Sequence, residues 1–188
     1  MALPQPTVTE SAIPGLFKIG LVVNAGGDDP RGSFREAWQA EKLTAVGLPQ
    51  FKPVQMNVAE STFGVVRGIH AEPWEKYIHL ASGTAFAAIV DLRPDSAAFG
   101  QVATFELDQS VALYVPRGLG NSYAVTSPHA AYTYLVNEHW RPDVQYPSVA
   151  HDDPDLAIAW PVPAADRIVS EKDRRNPSFA EFKAGLDG

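Results

Sequence analysis

Apolar residues in this chain gather in short runs, many alternating with polar positions, and each run is closed by glycine, proline or a small polar residue. A period of two puts successive side chains on opposite faces of a strand, so such a run buries one face and leaves the other wet. Strands are predicted on that basis at Leu16–Val23, Val54–Val58, Gly64–Ile69, Lys76–Ala81, Ala85–Leu92, Val102–Leu107, Val111–Val115, Ser122–Thr126 and Ala131–Val136. Ser82-Gly83-Thr84, between two apolar runs, reads as a hairpin turn. Helical patterning is confined to Trp38–Ala45, ended by Gly47-Leu48-Pro49, and to Phe179–Ala184, where Asn176-Pro177-Ser178 supplies a start signal.

The breaks come from 14 glycines and 16 prolines spread along the chain, the rhythm of an all-β sandwich or barrel. Many short strands closing on themselves fit an all-β fold, a cupin-type jelly-roll β-barrel with short flanking helices, whose interior can hold a small ligand. With 188 residues, 45% of them hydrophobic, and no internal repeat or low-complexity linker, one domain over residues 1–188 is expected.

Composition then narrows the function. Cysteine is absent, which removes disulfides and thiolate metal ligands and favours a cytoplasmic location. The start Met1-Ala2-Leu3-Pro4-Gln5-Pro6 has no signal-peptide pattern, and no run approaches the roughly 20 apolar residues of a membrane span, so no membrane partner is expected. A net charge of -7 argues against nucleic acid as a partner, because phosphate-backbone binding relies on clustered Lys and Arg. An anionic small molecule stays open, since a few arginines in a pocket can oppose the global charge locally.

The residues that bear chemistry are individually ambiguous. Arg67-Gly68-Ile69-His70 ends an apolar strand, and its glycine lets backbone and side chains converge on one point; a surface arginine and a satisfied strand-end histidine would look the same. Lys76 follows six residues later. Tyr132 and Tyr134 share one face of their strand, a pattern of core packing as much as of catalysis. Asp173, in Ser170-Glu171-Lys172-Asp173, is by itself a loop acid or a helix-capping group.

Taken in order, these segments resemble a known family. Asp29-Pro30-Arg31-Gly32-Ser33-Phe34-Arg35-Glu36 is similar to its D-x-R-G-x-F-x-E opening, with one irregularity near the start, Gln55-Met56-Asn57 to its Q-x-N and Arg67-Gly68-Ile69-His70 to its R-G-x-H. Val90-Asp91-Leu92-Arg93 with Ser96 and Phe99-Gly100, Val115-Pro116-Arg117-Gly118, Tyr134-Leu135, Asp153-Pro154, Ile158-Ala159-Trp160-Pro161 and Ser170-Glu171-Lys172-Asp173 follow at matching spacing. The family is that of the dTDP-4-dehydrorhamnose 3,5-epimerases, and the resemblance runs from about residue 16 to about residue 180.

The resemblance implies an isomerase that inverts C3 and C5 of a nucleotide-linked 4-keto-6-deoxyhexose, carrying dTDP or UDP, through an enolate held by the C4 carbonyl. It implies His70 as base, Asp173 as its orienting carboxylate, Lys76 as enolate stabiliser and Tyr134 as the acid on the opposite face. Arg67 and Lys172 match positions near the diphosphate, and Arg31, Phe34, Glu36, Gln55 and Asn57 match positions around the nucleotide. The chemistry is redox-neutral, so no cofactor and no metal are implied, and a homodimer is, because family members take some nucleotide contacts from the partner subunit. The chain departs from the family at three places: Asn121 stands where an active-site histidine is usual, Trp140 where a second tyrosine is expected, and the stretch from His70 to Lys76 is short and holds Glu72 in place of glutamine. His70-Ala71-Glu72-Pro73-Trp74 and Gly120-Asn121-Ser122-Tyr123 resemble actinobacterial members in which such a domain is fused to a dehydrorhamnose reductase.

Three other readings are open. A metal-dependent cupin would gather histidines and a carboxylate around iron or manganese, but His79, His129, His139 and His151 are scattered without ligand spacing. A sugar-nucleotide-binding module without catalysis would have no need of His70, Lys76, Tyr134 and Asp173 together. A mono-epimerase acting at C3 or C5 alone would carry the same residues.

Overall fold

The computed structural model describes residues 4–25 and 32–186. Its strands are β1 (Thr7–Glu10), β2 (Phe17–Gly20), β3 (Val23–Ala25), β4 (Ser33–Arg35), β5 (Gln55–Thr62), β6 (Val65–His70), β7 (Lys76–Ser82), β8 (Ala85–Asp91), β9 (Val102–Leu107), β10 (Val111–Val115), β11 (Leu119–Val125), β12 (His129–Val136) and β13 (Ile168–Val169). Two short helices, α1 (Ala40–Ala45) and α2 (Phe179–Ala184), flank them. Gln39 caps α1 by accepting from the Lys42 N–H, and Ser178 with Glu181 forms a reciprocal capping box on α2.

The strands form a six-stranded sheet in the order β1-β2-β10-β7-β12-β5 and a five-stranded sheet in the order β13-β6-β11-β8-β9, with β3 and β4 paired separately. Going along the chain from β5 to β8, every connection passes from one sheet to the other, and so do those from β9 to β12. This crossing pattern is that of a cupin-like jelly roll, and it brings the inner faces of both sheets around one interior. Ile78, Leu80, Leu113 and Tyr132 from the larger sheet pack there with Ala87, Ile89, Tyr123 and Val125 from the smaller one. Outside the larger sheet, Leu43 of α1 with Leu48 and Phe51 covers Tyr77 and Tyr114; outside the smaller one, Val149, Leu156 and Phe179 cover Ile69, Val90 and Leu92.

Two expectations need correcting. Ser82-Gly83-Thr84 is not a hairpin turn: β7 and β8 lie in different sheets, and the segment is a corner between them. Gly83 is required there, with φ at +78° and the His129 carbonyl 2.1 Å from where a Cβ would sit. The strand expected at Leu16–Val23 is divided, because Leu21 and Val22 separate β2 from β3, which pairs with β4 instead. Sequence patterning also missed β1 and β4, whose side chains are mostly exposed and so give no apolar alternation, and the two-residue β13.

Candidate active site

The end of β6 is built around a glycine. Gly68 has φ at +116°, and a Cβ on it would lie 2.5 Å from the Ser122 Cβ and 2.6 Å from the Asn121 carbonyl, so no other residue lets β6 and β11 approach this closely. Its N–H donates to Asp173 Oδ2 at 3.2 Å, while Asp173 Oδ1 takes His70 Nε2 at 2.7 Å. One carboxylate thus bridges the backbone and the ring at the end of the strand. The bond assigns the ring proton to Nε2 and leaves Nδ1 to accept one. Burial by itself raises the Asp173 carboxyl, but the hydrogen bond and charge of His70, the Gly68 N–H and the Lys172 charge outweigh it and hold the group below its ordinary value. With side chains 30% and 5% exposed, His70 is open to a ligand and Asp173 is not.

Opposite this dyad, β12 presents Tyr134 beside Tyr132, with Tyr132 stacked on Tyr123 of β11 at 3.7 Å between ring centroids. Burial first, then the charge of Glu72 and the neighbouring Tyr123, push the Tyr134 hydroxyl above its ordinary value, against Arg67; it therefore keeps its proton near neutral pH. Lys76, the first residue of β7, is buried and paired with Glu72. Asn121 stands opposite His70 in the β6–β11 ladder and accepts from the Tyr132 hydroxyl at 3.1 Å, which leaves its amide N–H groups free to donate into the space between.

Together these groups line one cavity of about 280 Å³, with His70 entering from the five-stranded sheet and Lys76 and Tyr134 from the six-stranded one. That volume suits a sugar ring; a whole nucleotide sugar needs room outside it. The arrangement has an imidazole held by a carboxylate, a buried ammonium and a protonated phenol across the gap, groups able to remove a proton beside a carbonyl and return one from the other side. Among the described residues, no cluster of three or more His, Asp or Glu side chains is placed to hold a metal ion.

The family model described as dTDP-4-dehydrorhamnose 3,5-epimerase matches residues 10–181. The chain belongs to this epimerase family. It is an isomerase with the family's cupin-like jelly roll. A protein named as an RmlC homolog from Streptococcus pyogenes serotype M6 is 40% identical over 178 residues, covering 91% of this chain and 88% of its own. A dTDP-4-dehydrorhamnose 3,5-epimerase from Streptomyces griseus is 33% identical, covering 82% and 79% respectively. Among solved structures, RmlC from Streptococcus suis in complex with dTDP-D-xylose superposes with a TM-score of 0.89 at 35% identity, covering 95% of this chain and 94% of that one.

Of the epimerase residues expected from sequence, the cavity gathers His70, Lys76, Tyr134, Asp173, Arg67, Asn121 and Lys172. Gln55 and Asn57 lie on β5 and bond to each other at 2.8 Å; the Trp140 backbone N–H donates to Gln55 Oε1 at 3.3 Å while the residue stays 56% exposed. Phe34, 68% exposed, and Glu36 line a different cleft, of about 270 Å³, beside α1. Arg31 lies outside the described residues. Sequence reasoning left out four polar groups that the cavity contains: Glu72, Tyr123, Tyr132 and Ser170. The shared strand face of Tyr132 and Tyr134 was a usable signal, as were the position of Glu72 two residues beyond His70 and that of Ser170 in the motif that carries Lys172 and Asp173; Tyr123 carried none.

Proposed function

We propose that the protein converts dTDP-4-dehydro-6-deoxyglucose to dTDP-4-dehydrorhamnose, inverting C5 and C3 in turn, with the cavity between the two sheets as its active site. The observation that carries this reading is the pairing of a carboxylate-held imidazole on one sheet with a protonated phenol on the other. His70 Nδ1 takes the proton from the carbon next to the C4 carbonyl, and the electron pair moves into the C4 oxygen as an enolate. The Lys76 ammonium stabilises that oxygen, and the Asp173 carboxylate stabilises the imidazolium. Tyr134 then gives its proton to the carbon from the opposite face, the centre is inverted, and solvent exchange restores both groups. Nothing is oxidised or reduced overall.

Binding follows from the remaining residues. Arg67 and Lys172 oppose the diphosphate by charge-assisted hydrogen bonds. The Asn121 amide donates to a sugar oxygen, where a histidine would also titrate. Phe34 and Glu36 line a separate cleft, so they reach a substrate in this cavity from a second copy of the chain; Gln55, Asn57 and Trp140 flank the nucleotide at the β5 edge. A homodimer is therefore part of the reading, with dTDP rather than UDP as the carrier and the cytoplasm as its place.

Proton NMR of the chelator-treated protein with dTDP-4-dehydro-6-deoxyglucose in deuterated water tests it. Loss of both the C3 and the C5 signals is the expected result. Loss of one alone makes the protein a mono-epimerase, and retention of both removes the catalytic reading.

A further inference from the structure

Within that reading, we infer that Glu72 is a positioning residue for the reaction, its carboxylate holding the Lys76 ammonium where the C4 oxygen of the sugar must lie. The inference begins with an imbalance. Lys76 is almost fully buried, and a buried ammonium at the end of a four-carbon stem needs both a counter-charge and something to select one of its many rotamers. Among the described residues its ion-pair partner is Glu72, a side chain that also lines the cavity.

The carboxylate is itself fixed. The stretch carrying it is pinned at Ala71, whose N–H donates to the Pro147 carbonyl at 2.9 Å, and at Pro73, whose carbonyl accepts from Arg117. Trp74 packs edge-on against Tyr146 at 4.9 Å, and Asn137 clamps Glu75 by accepting from its N–H at 2.9 Å and donating to its carboxylate at 3.0 Å. An acid needed only for solubility would not sit on so constrained a segment facing inward.

The charged groups around the pair give Glu72 a task that no neighbour can take over. From β6 come Arg67 and His70, from the segment beyond β13 come Lys172 and Asp173, and from β12 come Tyr132 and Tyr134. Asp173, the cavity's other carboxylate, is committed to His70 and the Gly68 N–H. The two acids divide the work: Asp173 orients the base, and Glu72 orients the electrophile. Glu72 also acts on the acid, since after burial its charge is the main influence raising the Tyr134 hydroxyl.

The test is Glu72→Gln, which keeps the shape and removes the charge, assayed beside wild type over a pH series. The expected result is a kcat lowered about tenfold or more with KM within about threefold, because the ammonium loses its fixed position in the transition state rather than in nucleotide binding. The alkaline limb of the kcat profile should move to lower pH as Tyr134 relaxes toward its ordinary value. Unchanged kcat and pH profile, or a rise in KM with kcat preserved, would overturn the inference; so would a variant that fails to fold, since Glu72 would then be structural. The wild-type arm separates this from the reading it rests on. No C3 or C5 exchange in wild type removes the epimerase itself, whereas exchange in wild type with an unaltered Glu72→Gln removes only the role of Glu72.

Discussion

His70 and Asp173 stand 103 positions apart in the chain, and neither is informative alone. A histidine at a strand end and an acid in a loop have ordinary explanations, and local sequence holds no signal that joins them; only the order of motifs along the whole chain did. What the fold adds is the Gly68 N–H, a second donor that fixes the carboxylate so that its other oxygen meets the ring. Asp173→Asn should therefore lower kcat by about 10²-fold or more, within the range of general acid–base contributions. It should also change the acid response of stability. The Asp173 carboxyl is held below its ordinary value in the folded protein, so its contribution to stability is present above the unfolded-state value and is lost as pH falls through the folded one. Thermal unfolding followed from neutral to acidic pH should show a smaller loss for the Asn variant than for wild type. An equal loss in both would mean that the carboxylate is not charge-stabilised by the dyad.

Elements whose faces differ in polarity were legible, and elements whose partners are chosen at long range were not. In β5 the alternation is complete: Gln55, Asn57, Ala59 and Ser61 are partly buried, while Met56, Val58, Glu60 and Thr62 point out. The Ser82-Gly83-Thr84 segment misled because a glycine between apolar runs marks a reversal without saying which sheet receives the next strand. That choice is made by β8 pairing with β9 and β11, residues far away in sequence. The outward face of β5 carries its own consequence. Met56 is 61% and Val58 53% exposed on the last strand of the six-stranded sheet. Across this same face, the register-paired His79 and Thr133 leave Nδ1 and Oγ1 buried without a hydrogen-bond partner among the described residues. In the proposed homodimer, a second copy of the chain seated here would cover the apolar pair. Met56→Glu should shift the protein from dimer to monomer in sedimentation velocity and raise KM for the nucleotide sugar. A wild-type protein that is monomeric at micromolar concentration would contradict this.

At the scale of the whole molecule, a chain with a net charge of -7 is proposed to take a doubly charged diphosphate, and the apparent conflict is resolved locally. Arg67, Lys76 and Lys172 face Glu72 and Asp173 in the cavity, leaving a positive surplus among these five side chains. Composition alone kept the anionic ligand open but could not locate those cations. The jelly-roll crossing supplies the other global requirement, since it sets β6 and β12 in opposed sheets, so that His70 and Tyr134 face one cavity from two sides, as the proposed base and acid must. That opposition is the central claim, and Tyr134→Phe tests it most directly. The variant should be given dTDP-4-dehydro-6-deoxyglucose in deuterated water, with exchange at C3 and C5 followed by NMR alongside formation of the inverted sugar. Exchange should continue, because His70 still removes the proton and returns solvent deuterium to the same face, while inversion falls by about 10²-fold or more. Inversion at the wild-type rate would show that the proton returns from some other group, and the two-sheet arrangement of base and acid would be wrong.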